Sequence, residues 1–273
     1  MNSTLDSTTI FVINLKKDIE KKEHMLKICK AFSLDCNFID AVYGKTLSEE
    51  EIGKHYAKDM ATKYSDRGMS LGEIGCLLSH KYIYQKMIDE EIEQALILED
   101  DIEFSDDIKN VFDSMDLFPK NWEVLLLGHH SHTARDDETK ASIWWKQHIS
   151  TEYKLIRPSE KGKGTYGYLI NNRGAKKLLG TLDQYYKPID HYTGNDKEVN
   201  IYAISPVQIK IHTEMSDQHH SMDDRTDAQK KIVANNRAKK MSLKQILRSL
   251  RLFDFIVYLR DSFKMILPLK KYK

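Results

Sequence analysis

Ala95-Leu-Ile-Leu-Glu-Asp-Asp101 runs four apolar residues straight into three consecutive carboxylates. The run is too short for a typical helix and apolar on both faces, which is the pattern of a buried strand. Open α/β sheets place their ligand crevices at the carboxyl ends of the strands, where Glu99, Asp100 and Asp101 emerge. Adjacent carboxylates repel one another unless a cation or solvent screens them. Hard oxygen donors of this kind suit Mg²⁺ or Mn²⁺, ions that commonly bridge substrate phosphates. Two readings stand side by side. One is a metal–nucleotide site; the other is a strand ending in a solvated acidic turn, continued by Glu103, Asp106 and Asp107.

Upstream, Ile10-Phe-Val-Ile-Asn-Leu15 is a second apolar, β-branched run with Asn14 near its carboxyl end. Residues 18–32 predict an amphipathic helix with Ile19, Met25, Leu26 and Ile28 or Cys29 turned inward. Asn37 to Tyr43 predicts another strand, stopped by Gly44, and the strand–helix–strand order argues for a βαβ unit in a mostly parallel sheet. Ser48 with Glu51 has the spacing of a capping box for a short helix, while residues 53–70 are polar and ambiguous. From Ser70 a helix extends to about Ile88. Its small residues Gly72, Gly75, Cys76 and Ser79 recur at helical spacing and allow close approach by a neighbouring element or a ligand.

Downstream, Glu123-Val-Leu-Leu-Leu127 is a further buried strand, followed by His129-His130-x-His132. That loop reads as solvent- or substrate-facing rather than zinc-binding, because no cysteine or closely spaced carboxylate completes a tetrahedral set. Trp144-Trp145, in the polar stretch 133–150, reads either as a sugar-stacking platform or as a packing anchor. Gly162-Lys-Gly-Thr-Tyr-Gly167 matches GxGxxG by letters but lacks a strand before it and a helix at its glycines, which excludes a dinucleotide site. Thr165 to Ile170 predicts a strand instead, with Asn172 capping a helix closed by Gly180. Tyr185 to His191 is a turn that delivers Asp190, followed by strands at 198–204 and 207–211 and a cluster of His212, Asp217, His219 and His220.

The 273 residues carry a formal net charge of +1, a balance that hides a strong polarity. Lys230 to Lys273 holds thirteen Lys/Arg against two Asp, leaving 29 basic and 39 acidic residues in the rest. An acidic body with a basic tail follows. In that tail Leu243, Ile246, Leu247, Leu250 and Phe253 or Phe255 interleave with Lys244, Arg248, Arg251 and Arg260, the pattern of amphipathic helices that lie on an anionic membrane surface or cover part of the core. No nucleic-acid motif accompanies the basic residues. Three cysteines without CxxC spacing suit a reduced cytosolic chain, although Cys29 and Cys36 could pair, and none sits in a metal-site pattern. No secretory signal or transmembrane-length apolar run is visible, so the expected location is cytoplasmic, peripheral on the inner face of the cytoplasmic membrane. The expected division is a globular domain over 1–228 and a basic amphipathic helical tail over 229–273.

The ordered set Phe11-Val-Ile-Asn-Leu15, Ala41-Val-Tyr-Gly44, Gly72-Glu-Ile-Gly-Cys76 with Ser79-His80, Leu96-Ile-Leu-Glu-Asp-Asp101 and Trp122 to Gly128 resembles glycosyltransferase family 25. The likeness continues through Gly164 to Ile170, Gly174 to Leu179 and Pro188-Ile-Asp190. The resemblance implies an α/β, GT-A type, Rossmann-like nucleotide-sugar-binding fold with a mostly parallel mixed sheet, here with C-terminal amphipathic helices. It also implies a UDP-sugar donor, a divalent cation (Mn²⁺ or Mg²⁺) and inverting transfer of a sugar, most commonly galactose in β-linkage, to an oligosaccharide or glycolipid acceptor of the lipooligosaccharide type. By the same resemblance Asp101 is the direct cation ligand. Glu99 joins Asp101 in the metal set or, with Asp100, orients ribose or metal-bound water, and His212 or Asp217 adds a ligand. Asp190 is the expected base with Glu73 as the alternative, and Asn14, Ser79 and His80 are expected donor contacts. The chain departs from the family at Lys21-Lys22, where members usually carry an Arg, and at Asp217-Gln218, where an aliphatic residue usually follows the Asp. Two other classes remain in view: a sugar-phosphate nucleotidyltransferase, and a non-catalytic, membrane-associated sugar-binding adaptor.

Overall fold

The computed structural model describes residue 5 and residues 8–65, 67–130, 138–158, 164–195, 197–212 and 214–215, the side chains of 143 and 144 excepted. The predicted strand–helix–strand start is present as β1 (Thr9–Asn14), α1 (Ile19–Ala31) and β2 (Cys36–Asp40). There follow α2 (Glu49–Gly53), α3 (Lys58–Ser65), α4 (Leu71–Asp89), β3 (Gln94–Glu99) and β4 (Ile102–Phe104). Next come α5 (Ile108–Asp113), β5 (Val124–Leu126), β6 (Ala141–His148) and β7 (Lys154–Pro158). The described elements end with β8 (Gly167–Asn171), α6 (Asn172–Thr181), α7 (Asp190–Thr193), β9 (Ile201–Ser205) and β10 (Ile209–Ile211).

Eight strands form one sheet in the order β2-β1-β3-β8-β5-β9-β7-β6. β1 pairs in parallel with β2 and β3, β8 runs antiparallel to both β3 and β5, and β5 is parallel to β9. β7 is antiparallel to β9 and to β6, so β8 and β7 alone oppose the other six strands. This is the mixed, mainly one-directional α/β sheet that was expected. A small antiparallel pair, β4 with β10, hangs below the carboxyl end of β3.

Alternation along each strand sorts the core into two layers. Phe11, Ile13, Ala95, Ile97, Val124 and Leu126 face the layer of Ile74, Leu77, Tyr84 and Met87 on α4, with Ala175 and Leu178 on α6. Ile10, Val12, Leu96, Leu98, Leu125 and Leu127 face Met25 and Cys29 on α1, with Ile108, Val111 and Phe112 on α5. Helices therefore cover both faces, which is why the strands read as continuous apolar runs.

Several sequence expectations need correction. The inner face of α1 is Lys21, Met25 and Cys29, spaced four apart, while Ile19 is 64% and Leu26 49% exposed. A buried lysine drawn toward the carboxylates sets the helix rotation against the simple apolar stripe. Cys29 and Cys36, expected as thiols, are joined in a disulfide between α1 and β2, their Cα atoms 6.4 Å apart; Cys76 is the free cysteine. The cap of α6 is Asn171, whose side chain accepts from the Gly174 N–H at 2.9 Å, and Asn172 instead donates to the carbonyls of Met87 and Ile92. The polar stretch around Trp145 is strand β6, and Trp145 packs edge-on against Tyr202 as an anchor. The tail, Asp217, His219 and His220 lie outside the described residues, as does His132.

Candidate active site

Strand β3 ends at Glu99, and the two aspartates that follow sit in the turn leading to β4. Because β1 is the parallel neighbour of β3, its last residue, Asn14, stands beside them. The Asn14 Nδ2 donates to Asp100 Oδ2 at 2.8 Å and to the Asp18 carbonyl at 3.1 Å. The buried Lys21 ammonium donates to Asp100 Oδ1 at 3.2 Å and to Asp101 Oδ2 at 2.8 Å. Burial lowers and the two aspartates raise the Lys21 pKa, and the aspartates win. Burial in turn pushes Asp100 above the ordinary carboxylate value, with Lys21 and Asn14 opposing. The structure thus brings Asn14, Asp100 and Asp101 together and adds Lys21. The sequence marked that position as a departure from the family without showing its contact. A lysine in a polar helix run reads as solvated until its rotation is known.

Glu99 belongs to a second, inner cluster. Its Oε1 accepts from the Thr165 hydroxyl at 2.7 Å, and its N–H donates to the Tyr166 carbonyl at 3.1 Å. Burial, reinforced by the charge of Asp101, pushes its pKa up to about 7. A Glu99 carboxylate oxygen, the Cys76 sulfur and a ring nitrogen of His80 all lie within 4.8 Å of one another. His80 is fully buried; its Nδ1 meets the Tyr168 hydroxyl at 2.8 Å, and burial lowers its pKa to about 3. It is closed off from solvent in this structure, which does not favour its expected role as a donor contact. Ser79 is closed off in the same way. Its hydroxyl donates to the Gly75 carbonyl and accepts from the Val42 N–H, both at 2.8 Å, which braces α4 against the loop after β2.

The expected metal set of Asp101, Glu99 and His212 does not converge. Among the described residues the three-donor group is Cys76, His80 and Glu99. The His212 N–H holds the Asp101 carbonyl at 2.7 Å, but its ring lies edge-on to His24 and its Nε2 is 3.4 Å from Glu103 Oε1. The antiparallel β4–β10 pairing turns that side chain toward the strand rather than toward the aspartates. Glu73 is also corrected as a base. It closes the capping box of α4 with Ser70 and takes two hydrogen bonds from Arg67, at 2.7 and 2.5 Å. Burial would raise its pKa, but Arg67 and Ser70 outweigh burial and hold it below the ordinary value. His129 is likewise structural: it is buried, with Nε2 on the Ile204 carbonyl at 2.8 Å and Nδ1 accepting from the Thr139 N–H.

Asp190 opens α7, with its carboxylate 3.8 Å from the His191 Nε2. It lies within electrostatic reach of the inner cluster: burial first, then Glu99, Asp190 and Glu73, push the Cys76 thiol well above its usual pKa.

The excess of carboxylate over ammonium at the Asp100–Asp101 corner, with Lys21 Nζ held as a stand-in cation, is chemistry that fits a hard divalent ion. Residues 7–193 match the family model described as glycosyltransferase family 25 (LPS biosynthesis protein). The chain belongs to this family. A family 25 member from Aedes aegypti is 34% identical over 190 residues, 67% of this chain and 30% of the relative. One from Drosophila melanogaster is 39% identical over 196 residues, 69% and 29% respectively. Human procollagen galactosyltransferase 2 is 29% identical over 178 residues, 63% and 27%. The chain thus spans less than a third of the length of these curated relatives. Among solved structures, a glycosyltransferase involved in glycosylation of the PBCV-1 major capsid overlaps 64% of each chain at 13% identity and a TM-score of 0.31. Mouse xyloside xylosyltransferase 1 covers 71% of this chain and 73% of its own at 14% identity and a TM-score of 0.30. Overlaps this loose carry no argument about the site.

Proposed function

We propose that this family 25 chain transfers a sugar, galactose from UDP-galactose, in β-linkage and with inversion, to a saccharide acceptor of the lipooligosaccharide or lipopolysaccharide type. The observation that supports it is the Asp100–Asp101 corner at the carboxyl end of β3, beside Asn14 and around a buried cationic group. Departure of UDP builds negative charge on diphosphate oxygen, and a bound divalent cation supplies the electrostatic stabilisation of that charge. Asp101 and Asp100 would hold such a cation; one or two carboxylates are the usual protein share of a Mg²⁺-type shell.

The rest of the work falls to the chain itself. Asn14 fixes the Asp100 carboxylate by hydrogen bonding and so sets the direction in which it points. Lys21, already paired with both aspartates, would add positive charge beside the cation they hold. Single-displacement inversion needs a base on the acceptor side. Asp190, at the start of α7, is proposed for that role. Expected placement of the enzyme against the inner face of the membrane rests on the basic tail. No helix among the described residues is long and apolar enough to cross a membrane.

A donor-by-acceptor screen reading UDP release and product linkage tests the reading. UDP-galactose with a lactoside or lipid-linked acceptor should give UDP and a β-galactoside. Diphosphate release from a nucleoside triphosphate and a sugar phosphate, with none of this transfer, would replace it with nucleotidyl transfer. Asp190→Asn should lower kcat by about 10²- to 10⁴-fold with donor binding kept; unchanged kcat would remove Asp190 as the base.

A further inference from the structure

Cys76 and His80 stand one turn apart on α4, so their side chains share a face. That face meets the carboxyl end of β3, where Glu99 completes a group of three donors within 4.8 Å of one another. The His80 Nδ1 is engaged by Tyr168, whose hydroxyl is in turn 2.6 Å from that of Tyr84. The remaining nitrogen, Nε2, is buried with no hydrogen-bond partner among the described residues. An orphaned polar atom in so complete a shell needs a partner.

We propose that Cys76, His80 and Glu99 form a binding site for a transition-metal cation of the zinc type, distinct from the hard-cation corner at Asp100–Asp101. A thiolate, an imidazole and a carboxylate together select Zn²⁺ or Co²⁺ over Mg²⁺ or Mn²⁺. Zinc sits about 2.0–2.3 Å from such donors, so the observed spacing closes on it by rotation of the side chains. The outer shell is already built. With Nδ1–H donating to the Tyr168 oxygen, His80 Nε2 is the nitrogen whose lone pair would meet the cation, and the Thr165 hydroxyl orients the Glu99 carboxylate. Thiolate and carboxylate neutralise a divalent charge in a buried place, and three protein ligands leave a fourth position open. The cation would tie α4 to the end of β3 directly behind the aspartate corner. This site stands independently of the sugar-transfer reading.

The test is a Co²⁺ titration of the chelator-stripped full chain, followed by zinc content by mass spectrometry. The expected result is one ion per chain with a cobalt–thiolate charge-transfer band, not displaced by excess Mg²⁺. Cys76 is the free cysteine, which makes the band specific to this cluster. Cys76→Ser should abolish the band, and Tyr168→Phe should weaken zinc binding about 10- to 100-fold. Mn²⁺-dependent UDP binding should survive Cys76→Ser, and zinc binding should survive Asp101→Ala, so the two readings fail separately. Absence of a thiolate band in the wild-type chain would overturn the proposal whether or not the variants fold. Equal zinc binding by wild type and a folded His80→Gln variant would overturn it too.

Discussion

At the scale of single residues, Lys21 carries the most consequence. It is buried, spans two aspartates and stands where the divalent cation is proposed to act. Removing one partner of a buried ion pair leaves the other charges uncompensated, at a cost of about 3–5 kcal/mol. Lys21→Met is therefore expected to lose about 3 kcal/mol in denaturant titrations without divalent ions. Saturating Mn²⁺ should restore much of that loss; a variant indifferent to Mn²⁺ would argue that the corner does not take a cation. Glu73 makes the opposite case. Its folded pKa is held below the ordinary glutamate value, so its contribution is present above that ordinary value and is lost as pH falls through the folded one. Glu73→Gln should cost about 2 kcal/mol near neutral pH, with the gap to wild type closing in acid, and should leave sugar transfer intact. A pH-independent gap would contradict the clamp by Arg67. At this scale the sequence showed Asn14, Asp100 and Asp101 through their positions at strand ends. It hid Lys21 and Cys76, because which way a helical side chain points depends on a packing partner distant in the chain.

Among the elements, α4 does the most positioning. Its capping box was legible as Ser70 with Glu73, and its small residues announced a close approach. The structure identifies the neighbour: a Cβ on Gly75 would lie 2.4 Å from the Val42 carbonyl oxygen and 2.7 Å from the Gly44 nitrogen. Both are backbone atoms, which cannot yield cheaply. Gly75→Ala is expected to cost about 1–3 kcal/mol by overpacking. Gly53→Ala, at the end of α2 with nothing within 4 Å of the added methyl, should be neutral or mildly stabilising. If both substitutions behaved alike in thermal unfolding, the close packing of α4 on the 42–44 loop would be wrong. Strands β1, β3, β5, β8 and β9 were readable because burial on both faces leaves unbroken apolar runs. The hairpin of β6 and β7 was not. It lies at the sheet edge, where Lys146, Gln147 and Lys154 break the apolar signal, and its pairing is irregular between Ala141 and Lys146.

For the whole molecule, the acidic body and the thirteen basic residues of the last stretch point to a charge-segregated chain. Truncation near Val233 is expected to abolish binding to anionic liposomes; equal binding by the shortened chain would remove the membrane expectation. The Asp100–Asp101 corner itself is assembled from β1, α1 and the end of β3, segments separated by about eighty residues in the chain, as in the contact of Lys21 with Asp101. Calorimetric titration of UDP into the protein with and without Mn²⁺ reads out whether that assembly binds the nucleotide through a cation. UDP binding by the wild type should depend on Mn²⁺ and be lost in a folded Asp101→Ala variant. Binding of equal strength without Mn²⁺, or undiminished in Asp101→Ala, would contradict it.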